Sequence, residues 1–429
     1  MIFGGDAAQP RLKWAFDSCK NGAWGDEPDG ESDAVCIRAA DFNADLGVLL
    51  DSERTLRAID ESTYRKVGLR AGDLVVEKSG GGEKQLVGRS VIYNGTDRAV
   101  CSNFLARCRP SDLVTSEYLN YLMLGLYKAR GTYPHIKQTT GIQNLDMASF
   151  LNTRVTLPPL ETQKRISAYL DEKTAQIDGL IARKQALLAR LGEKRQAIIT
   201  QAVTKGTNPA APLKDSGIDW IGQIPAHWDL VALGYRYEIQ LGRMLNAERA
   251  DGENLKPYLR VYDVQWGAIN VNQLPLMDFP PEAQRRYRLL PGDLMVNEGG
   301  SYVGRSAIWQ GDLEECYYQK ALHRLRPSNR ENDTAEFLLL VMEMATTRNV
   351  FVAGGNQTTI DHLTAEQLRR YRFAFPPFNE QAEIVADCRQ RLKQLSDIVD
   401  AVSTSLAYLA EYRVALITSA VTGQIAGLQ

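Results

Sequence analysis

Pro376-Pro377-Phe378-Asn379-Glu380-Gln381, followed by Ile384, decides the fold, because the chain has used the same frame once already. Pro158, Pro159, Gln163 and Ile166 stand earlier in the chain in the same order and at the same spacing. Further along, Ile199, Thr200, Ala202, Val203 and Thr204 return as Ile417, Thr418, Ala420, Val421 and Thr422, at the identical offset. One offset at both ends means two segments of equal length, and a fixed period marks a repeated architecture. No proline falls between Leu160 and Asn208, nor anywhere after Pro377, and both segments are rich in good helix formers. The double proline ends what precedes it and prepares a helix start. Gly206 and Gly423 stand where each helix should stop.

Within the second segment Cys388, Leu395, Val402, Leu409 and Leu416 recur every seven residues, with Leu392, Val399 and Leu406 interleaved. That is an a/d seam. The first segment carries a looser seam through Ile166, Leu170, Ile177, Leu180, Leu187, Leu191 and Ile198, with Lys173, Lys184 and Lys194 in register. Nine basic and five acidic residues lie in 158–206, against four and six in 375–429. The two helices are therefore expected to pair apolar face to apolar face, the charge difference helping only modestly. A helix of ~44 residues is on the order of 65 Å long.

Each helix follows a globular segment, and the globular segments repeat too. Gly72-Asp73-Leu74 matches Gly292-Asp293-Leu294, Gly88-Arg89-Ser90 matches Gly304-Arg305-Ser306, and Gln138-Thr139-Thr140 matches Gln357-Thr358-Thr359. Arg38 and Asp41 match Arg260 and Asp263 and read as a structural pair. Short alternating runs at Asp73–Glu77 and Arg89–Tyr93 predict strands, and 115–130 predicts a helix. Between the halves, 207–228 has the Pro, Gly and Asp content of a linker. Trp220, Ile221, Ile224 and Trp228 make it too apolar for a free tether, so it is expected to dock on the second globular segment. The fold class expected is α+β: two globular domains, each followed by a long helix, the helices paired as an antiparallel coiled coil. The boundaries expected are 1–157, 158–206, 207–228, 229–374 and 375–429.

The bulk numbers agree. At 429 residues, 44% hydrophobic and 24% charged, the chain has core enough for two or three soluble domains. No apolar run approaches a membrane span, and Met1 to Pro10 lack the pattern of a secretory signal. The six cysteines form no C-x-x-C pair and the four histidines are scattered, which argues against zinc and for reduced thiols in a cytoplasmic protein.

Three features together resemble the DNA-specificity subunit of type I restriction–modification systems. One is the string Ser216-Gly217-Ile218-Asp219-Trp220-Ile221-Gly222-Gln223-Ile224-Pro225-Ala226-His227-Trp228, which looks like the family's lead-in to a target-recognition domain. The second is Pro376-Pro377-Phe378-Asn379-Glu380-Gln381 with Ile384, which looks like the start of its spacer helix. The third is the two-fold repeat itself. Two departures stand out: Thr162 occupies the place of Glu380, and no Trp-containing lead-in precedes the first globular segment. The resemblance implies a non-catalytic subunit that reads a split DNA target, one half per recognition domain. It implies two adenine-N6 DNA methyltransferase subunits as partners and two restriction subunits in the larger complex. S-adenosylmethionine, ATP and Mg2+ would then belong to those partners, and no cofactor or metal to this chain. Because the two modules differ in sequence, the target is expected to be asymmetric.

DNA contacts are sought where glycines let backbone approach phosphates or base edges and where side chains offer donors. In the first module these are Lys78, Ser79, Gly80, Gly81, Lys84 and Arg89; in the second, Asn297, Ser301, Tyr302 and Arg305. Lys137, Gln138, Thr139 and Thr140, with Asn356, Gln357 and Thr358, form a second set, since Gln and Asn can read adenine. Arg243, after Gly242, is a third candidate. A hairpin loop with solvated charges, or a capped turn, is the plain alternative for each. The basic residues of the first helix (Lys164, Arg165, Arg183, Lys184, Arg190, Lys194, Arg195) read first as a solvated face.

Catalytic signatures are missing. No Asn/Asp-Pro-Pro-aromatic tetrad occurs, Asn208-Pro209 being followed by Ala210-Ala211, and no Walker A motif occurs. Asp73 and Glu77-Lys78 do not form a nuclease site in the right order, and the second copy has Asn297-Glu298 without the lysine. A protein-only coiled-coil adaptor, a hidden nuclease or modification activity, and a specificity subunit of another multisubunit system remain the alternatives. Near-neutral modules predict weak, salt-sensitive DNA binding by the isolated chain.

Overall fold

The computed structural model describes residues 9–82, 85–139, 141–244, 252–351 and 363–428, without the side chains of Thr139 and Ser301. It divides into two compact units, Met1–Gln185 with Ser403–Gln429, and Ala186–Val402. The long helices run Leu160–Lys205 and Phe378–Val421, 46 and 44 residues. Each therefore gives its first part to one unit and its last part to the other.

Both units are built on the same four-stranded antiparallel sheet. In the first its order is Phe16–Asn21, Leu105–Pro110, Leu74–Glu77, Ser90–Ile92. In the second it is Tyr237–Leu241, Leu322–Pro327, Leu294–Asn297, Ser306–Ile308. The registers coincide: Val76 faces Ser90 as Val296 faces Ser306. The strands read as alternating are instead buried on both faces. Leu74 and Val76 pack on the helix Ser116–Lys128, while Val75 and Val91 meet a second layer holding Ile37, Phe42 and Ala99. Buried Asp73 grips Arg109 at 2.8 and 2.7 Å, and buried Asp293 grips Arg326 at 2.6 and 2.7 Å. The repeated Gly-Asp-Leu motif is thus a strut across each sheet.

The repeated glutamine explains how each long helix joins its module. Gln163 is buried; its amide donates to the carbonyls of Leu113 and Pro158, both at 2.8 Å, and its carbonyl accepts from Thr115 N at 2.8 Å. Thr115 in turn caps the helix Ser116–Lys128. Gln381 repeats this with Asn332, Pro376 and Thr334, and Thr334 caps Ala335–Thr347. One side chain thereby satisfies backbone groups from two helix starts that would otherwise be buried without partners.

The helices pair antiparallel. In the first unit Ile166, Leu170 and Ile177 share a core with Leu416, Ile417, Ala420 and Val421. In the second, Ile199, Ala202 and Val203 share one with Ile384 and Cys388. Start lies against end in both. Cys388, Leu395, Val402 and Leu416 are buried as the heptad demands. Leu180 and Leu187, expected in the first seam, are instead 42% and 41% exposed. The buried positions of that helix run through Leu170, Ile177 and Leu191 on one heptad line and Ser167 and Thr174 on the other, so the second line of the seam lies one residue later than Leu180 and Leu187.

The lead-in string also finds its place. Leu213–Asp215 pairs with Gln223–Pro225, and the fully buried Trp228 donates its indole N–H to Glu380 at 3.0 Å while His227 meets the other carboxylate oxygen at 2.8 Å. Glu380 is the acceptor for the lead-in. The first module has no such Trp, and Thr162 stands at that position. There Tyr118 donates to Thr156 O at 2.9 Å and Val421 O at 3.3 Å, so the end of the second long helix docks on it directly.

A buried histidine sets a pH limit on the second unit. His323 contacts Leu363 O through Nε2 at 2.6 Å, and burial pushes its pKa down from 6.5 to about 4. The neutral form is favoured in the fold, so its contribution is complete above pH 6.5 and is lost as pH falls toward 4. The loss is on the order of 3 kcal/mol. Urea midpoints measured across that range should fall for the wild type and flatten for His323→Gln.

Candidate nucleic-acid interface

In the first unit two sequence-remote candidate sets become one surface. Ser79–Gly80 is an edge strand on the hairpin Ile136–Thr139 and Ile142–Leu145. Lys78 and Ser79 donate their backbone N–H groups to Phe104 O at 3.0 and 3.1 Å, and Leu145 N donates to Lys78 O at 2.7 Å. Ser79 Oγ donates to Asn144 Oδ1 at 2.6 Å. Gln143, buried, accepts from Val87 N and donates to Gly82 O, each at 3.3 Å, and so stitches the glycine loop to the hairpin. Gly81 adopts φ +64°, where a Cβ would lie 2.7 Å from Gln85 O, so only glycine closes this turn without strain.

Lys137 and Gln138 are exposed on this hairpin. Lys137 pairs with Asp146 at 2.7 Å and holds that carboxyl below its ordinary range. Lys78 is half-buried. Lys84 and Thr140 lie outside the described residues, as does the side chain of Thr139. Asn144 and the exposed aromatic Phe104 belong to the same surface, with the buried Gln143 beneath it, and none of the three was among the expected contacts. A Gln-Asn pair between the apolar Ile142 and Leu145 was the available signal.

Arg89 departs from expectation. It lies across from Glu77 at the end of the sheet, and its Nε and Nη2 donate to the two oxygens of that buried carboxylate, both at 2.8 Å. The carboxylate holds the guanidinium's pKa above its ordinary value. The fork that would grasp a phosphate is occupied, and Arg89 is a strut.

In the second unit Asn297 is also corrected. It is fully buried, and its amide donates to Val261 O and Val264 O, both at 3.2 Å, so its side chain faces no solvent. Gly300–Tyr302 forms a single 3-10 turn. Arg305 lies over the Tyr302 ring at 4.4 Å and donates to Gln265 Oε1 at 2.7 Å. The side chain of Ser301 lies outside the described set, as do Asn356, Gln357 and Thr358. Beyond them, Leu363 N donates to Glu298 O at 2.6 Å, as Leu145 N does to Lys78 O. Arg243 stacks on Phe279 at 5.4 Å, and its backbone bonds Tyr318 and Lys320.

The Arg/Asp pairs are structural. Arg38 with Asp41, and Arg260 with Asp263, close capping boxes around a 3-10 turn in each unit. Of the basic helix residues, Arg195 is partly covered and pairs with Glu343. Among the described residues, no cluster of three or more His, Cys, Asp or Glu could hold a metal ion, and no helix is long and apolar enough to cross a membrane.

Comparison with known proteins bears on this geometry. The family described as Type I restriction modification DNA specificity domain matches residues 71–189 and 227–403, more than half of the chain. The type I restriction enzyme EcoKI specificity subunit of Escherichia coli is 23% identical over 362 residues, covering 82% of this chain and 75% of that one. A putative type I restriction enzyme specificity subunit, MjaX, of Methanocaldococcus jannaschii is 22% identical over 351 residues, covering 80% and 76%. Two solved structures share the fold. One, described under complex assembly and conformational transition of the type I R-M system, aligns with TM-score 0.74 at 18% identity, covering 98% of this chain and all of that one. The HsdS subunit from Thermoanaerobacter tengcongensis aligns with TM-score 0.57 at 17% identity, covering 97% and 96%.

Proposed function

Since the chain belongs to the type I restriction–modification DNA specificity family, a family with a non-catalytic role, we propose that it reads a bipartite, asymmetric DNA target and scaffolds two adenine-N6 methyltransferase subunits, with two restriction subunits in the larger complex. The observation that carries this reading is the contrast between frame and decoration. Sheet, strut, glutamine pin and long helix recur in both units, while Lys78-Ser79-Gly80-Gly81 in one becomes Glu298-Gly299-Gly300-Ser301 in the other. A shared scaffold with different side chains at one loop suits two readers of two different half-sites. Two rigid readers on paired helices of matched length suit a fixed gap, about one turn of B-DNA.

The contacts proposed in the first module are Lys78, Ser79, Gly80, Gly81, Lys137 and Gln138, joined by Lys84, Thr139 and Thr140. In the second they are Ser301, Tyr302, Arg305 and Arg243, with Asn356, Gln357 and Thr358. Domain limits of 1–157 and 229–374 for the readers, and 158–206 and 375–429 for the spacers, go with this reading, as does a cytoplasmic site of action. Mapping N6-methyladenine across the host genome with and without the gene tests it. Loss of one split motif on deletion is expected; an unchanged methylation map would leave a protein-only adaptor.

A further inference from the structure

Two arginines at one position of the repeat differ in what faces them. In the first unit Glu77 N donates to Arg89 O at 2.8 Å and Gly88 N to Glu77 O at 3.1 Å. In the second, Asn297 N donates to Arg305 O at 2.9 Å and Gly304 N to Asn297 O at 3.0 Å. Position 297 therefore faces 305 in the register in which 77 faces 89. In the first unit the facing residue is a carboxylate, and the pair is neutral and closed. In the second it is an amide whose nitrogen is turned away to two backbone carbonyls.

Arg305 has no carboxylate at the position that faces it. Among the described residues no carboxylate pairs with it, and the one hydrogen-bond partner of its side chain, Gln265, is neutral. It is half-buried, so part of its hydration is already lost. Stacking on Tyr302 and the bond to Gln265 hold the guanidinium plane in one orientation. A partly desolvated, pre-oriented and uncompensated guanidinium is the arrangement that grips an anionic oxygen pair. It lies beyond the turn Gly300–Tyr302, at whose first residue, Gly300, φ is +68° and space is open where a Cβ would stand.

We propose that Arg305 takes a backbone phosphate of duplex DNA and that Asn297 is the residue that leaves it available, whereas Glu77 removes Arg89 from the same task. This rests on the DNA-reading function above. The decisive variant is Asn297→Glu, which restores the carboxylate in the register where Glu77 holds Arg89. The full chain is titrated with mixed-sequence duplex DNA by fluorescence anisotropy over a series of salt concentrations, and its thermal melting is followed in parallel. Asn297→Glu is expected to weaken binding by about ten-fold and to lower the slope of log K against log salt by about one, with melting held or raised. Arg305→Gln should give the same loss, and Arg305→Lys should keep the slope. A folded Asn297→Glu with wild-type affinity and slope overturns the proposal; if that variant fails to fold, wild-type binding by Arg305→Gln overturns it instead. A loss confined to duplexes of one sequence makes Arg305 a base reader and also defeats the phosphate assignment. Absence of duplex binding by the wild type would sink the DNA-reading function itself, an outcome distinct from either.

Discussion

Removing seven residues from each long helix, 181–187 and 399–405, should shorten the span between the methylated adenines of the target by about three base pairs. The arithmetic is direct: seven residues at ~1.5 Å remove ~10.5 Å of helix, and DNA rises ~3.4 Å per base pair. The two segments stand at the same place in the repeat, so neither helix outgrows the other. A whole heptad is required because any other length would turn Leu416, beyond the cut, out of line with Leu395 before it. Yield should drop as well, since three base pairs turn the duplex by about a third of a revolution relative to the readers. Methylation mapping of cells carrying the shortened gene measures the span. An unchanged span would mean that the paired helices do not set the distance.

Trp228→Ala should be the most damaging single substitution in the second unit, costing roughly 3–5 kcal/mol. The indole is fully buried, meets Phe337 edge-on at 6.3 Å, and supplies the donor to Glu380. Truncation removes the packing and also strands a mostly buried carboxylate oxygen, a separate penalty of about 1–3 kcal/mol. Since whole domains are stable by only about 5–15 kcal/mol, this loss should bring the unit close to unfolding. Trp228→Phe keeps much of the apolar contact and isolates the second term. Combining it with Glu380→Thr, the residue type the first copy carries at Thr162, should cost less than the sum of the two single changes, because donor and acceptor are then removed together. Urea denaturation of the four proteins gives the coupling. Strict additivity would show that the indole and the carboxylate do not act as a pair.

The roles of the candidate DNA contacts were far less legible than the frame that carries them. Arg89 and Arg305 follow the same Gly and precede the same Ser. One is a buried strut and the other is held over Tyr302, according to whether the facing residue is Glu77 or Asn297. Asn297 reads as a polar loop donor and lies in the core. Lys78-Ser79 and Lys137-Gln138 are far apart in the chain, and only strand pairing through Gln143 and Asn144 makes them neighbours.

What the sequence determined by itself is the plan: two long helices that begin and end on the same motifs, and two modules on one frame. These are properties of order and spacing along a covalent chain: the helix motifs recur at one constant offset and the module motifs in one order, whatever the side chains touch. Tertiary structure alone decided which charges are spent on the fold and which face outward, and that Leu180 and Leu187 leave the seam while Thr174 enters it. The physical reason is that burial and ion pairing belong to pairs of residues brought together across strands and helices, and the free energy of a charge is set by what faces it.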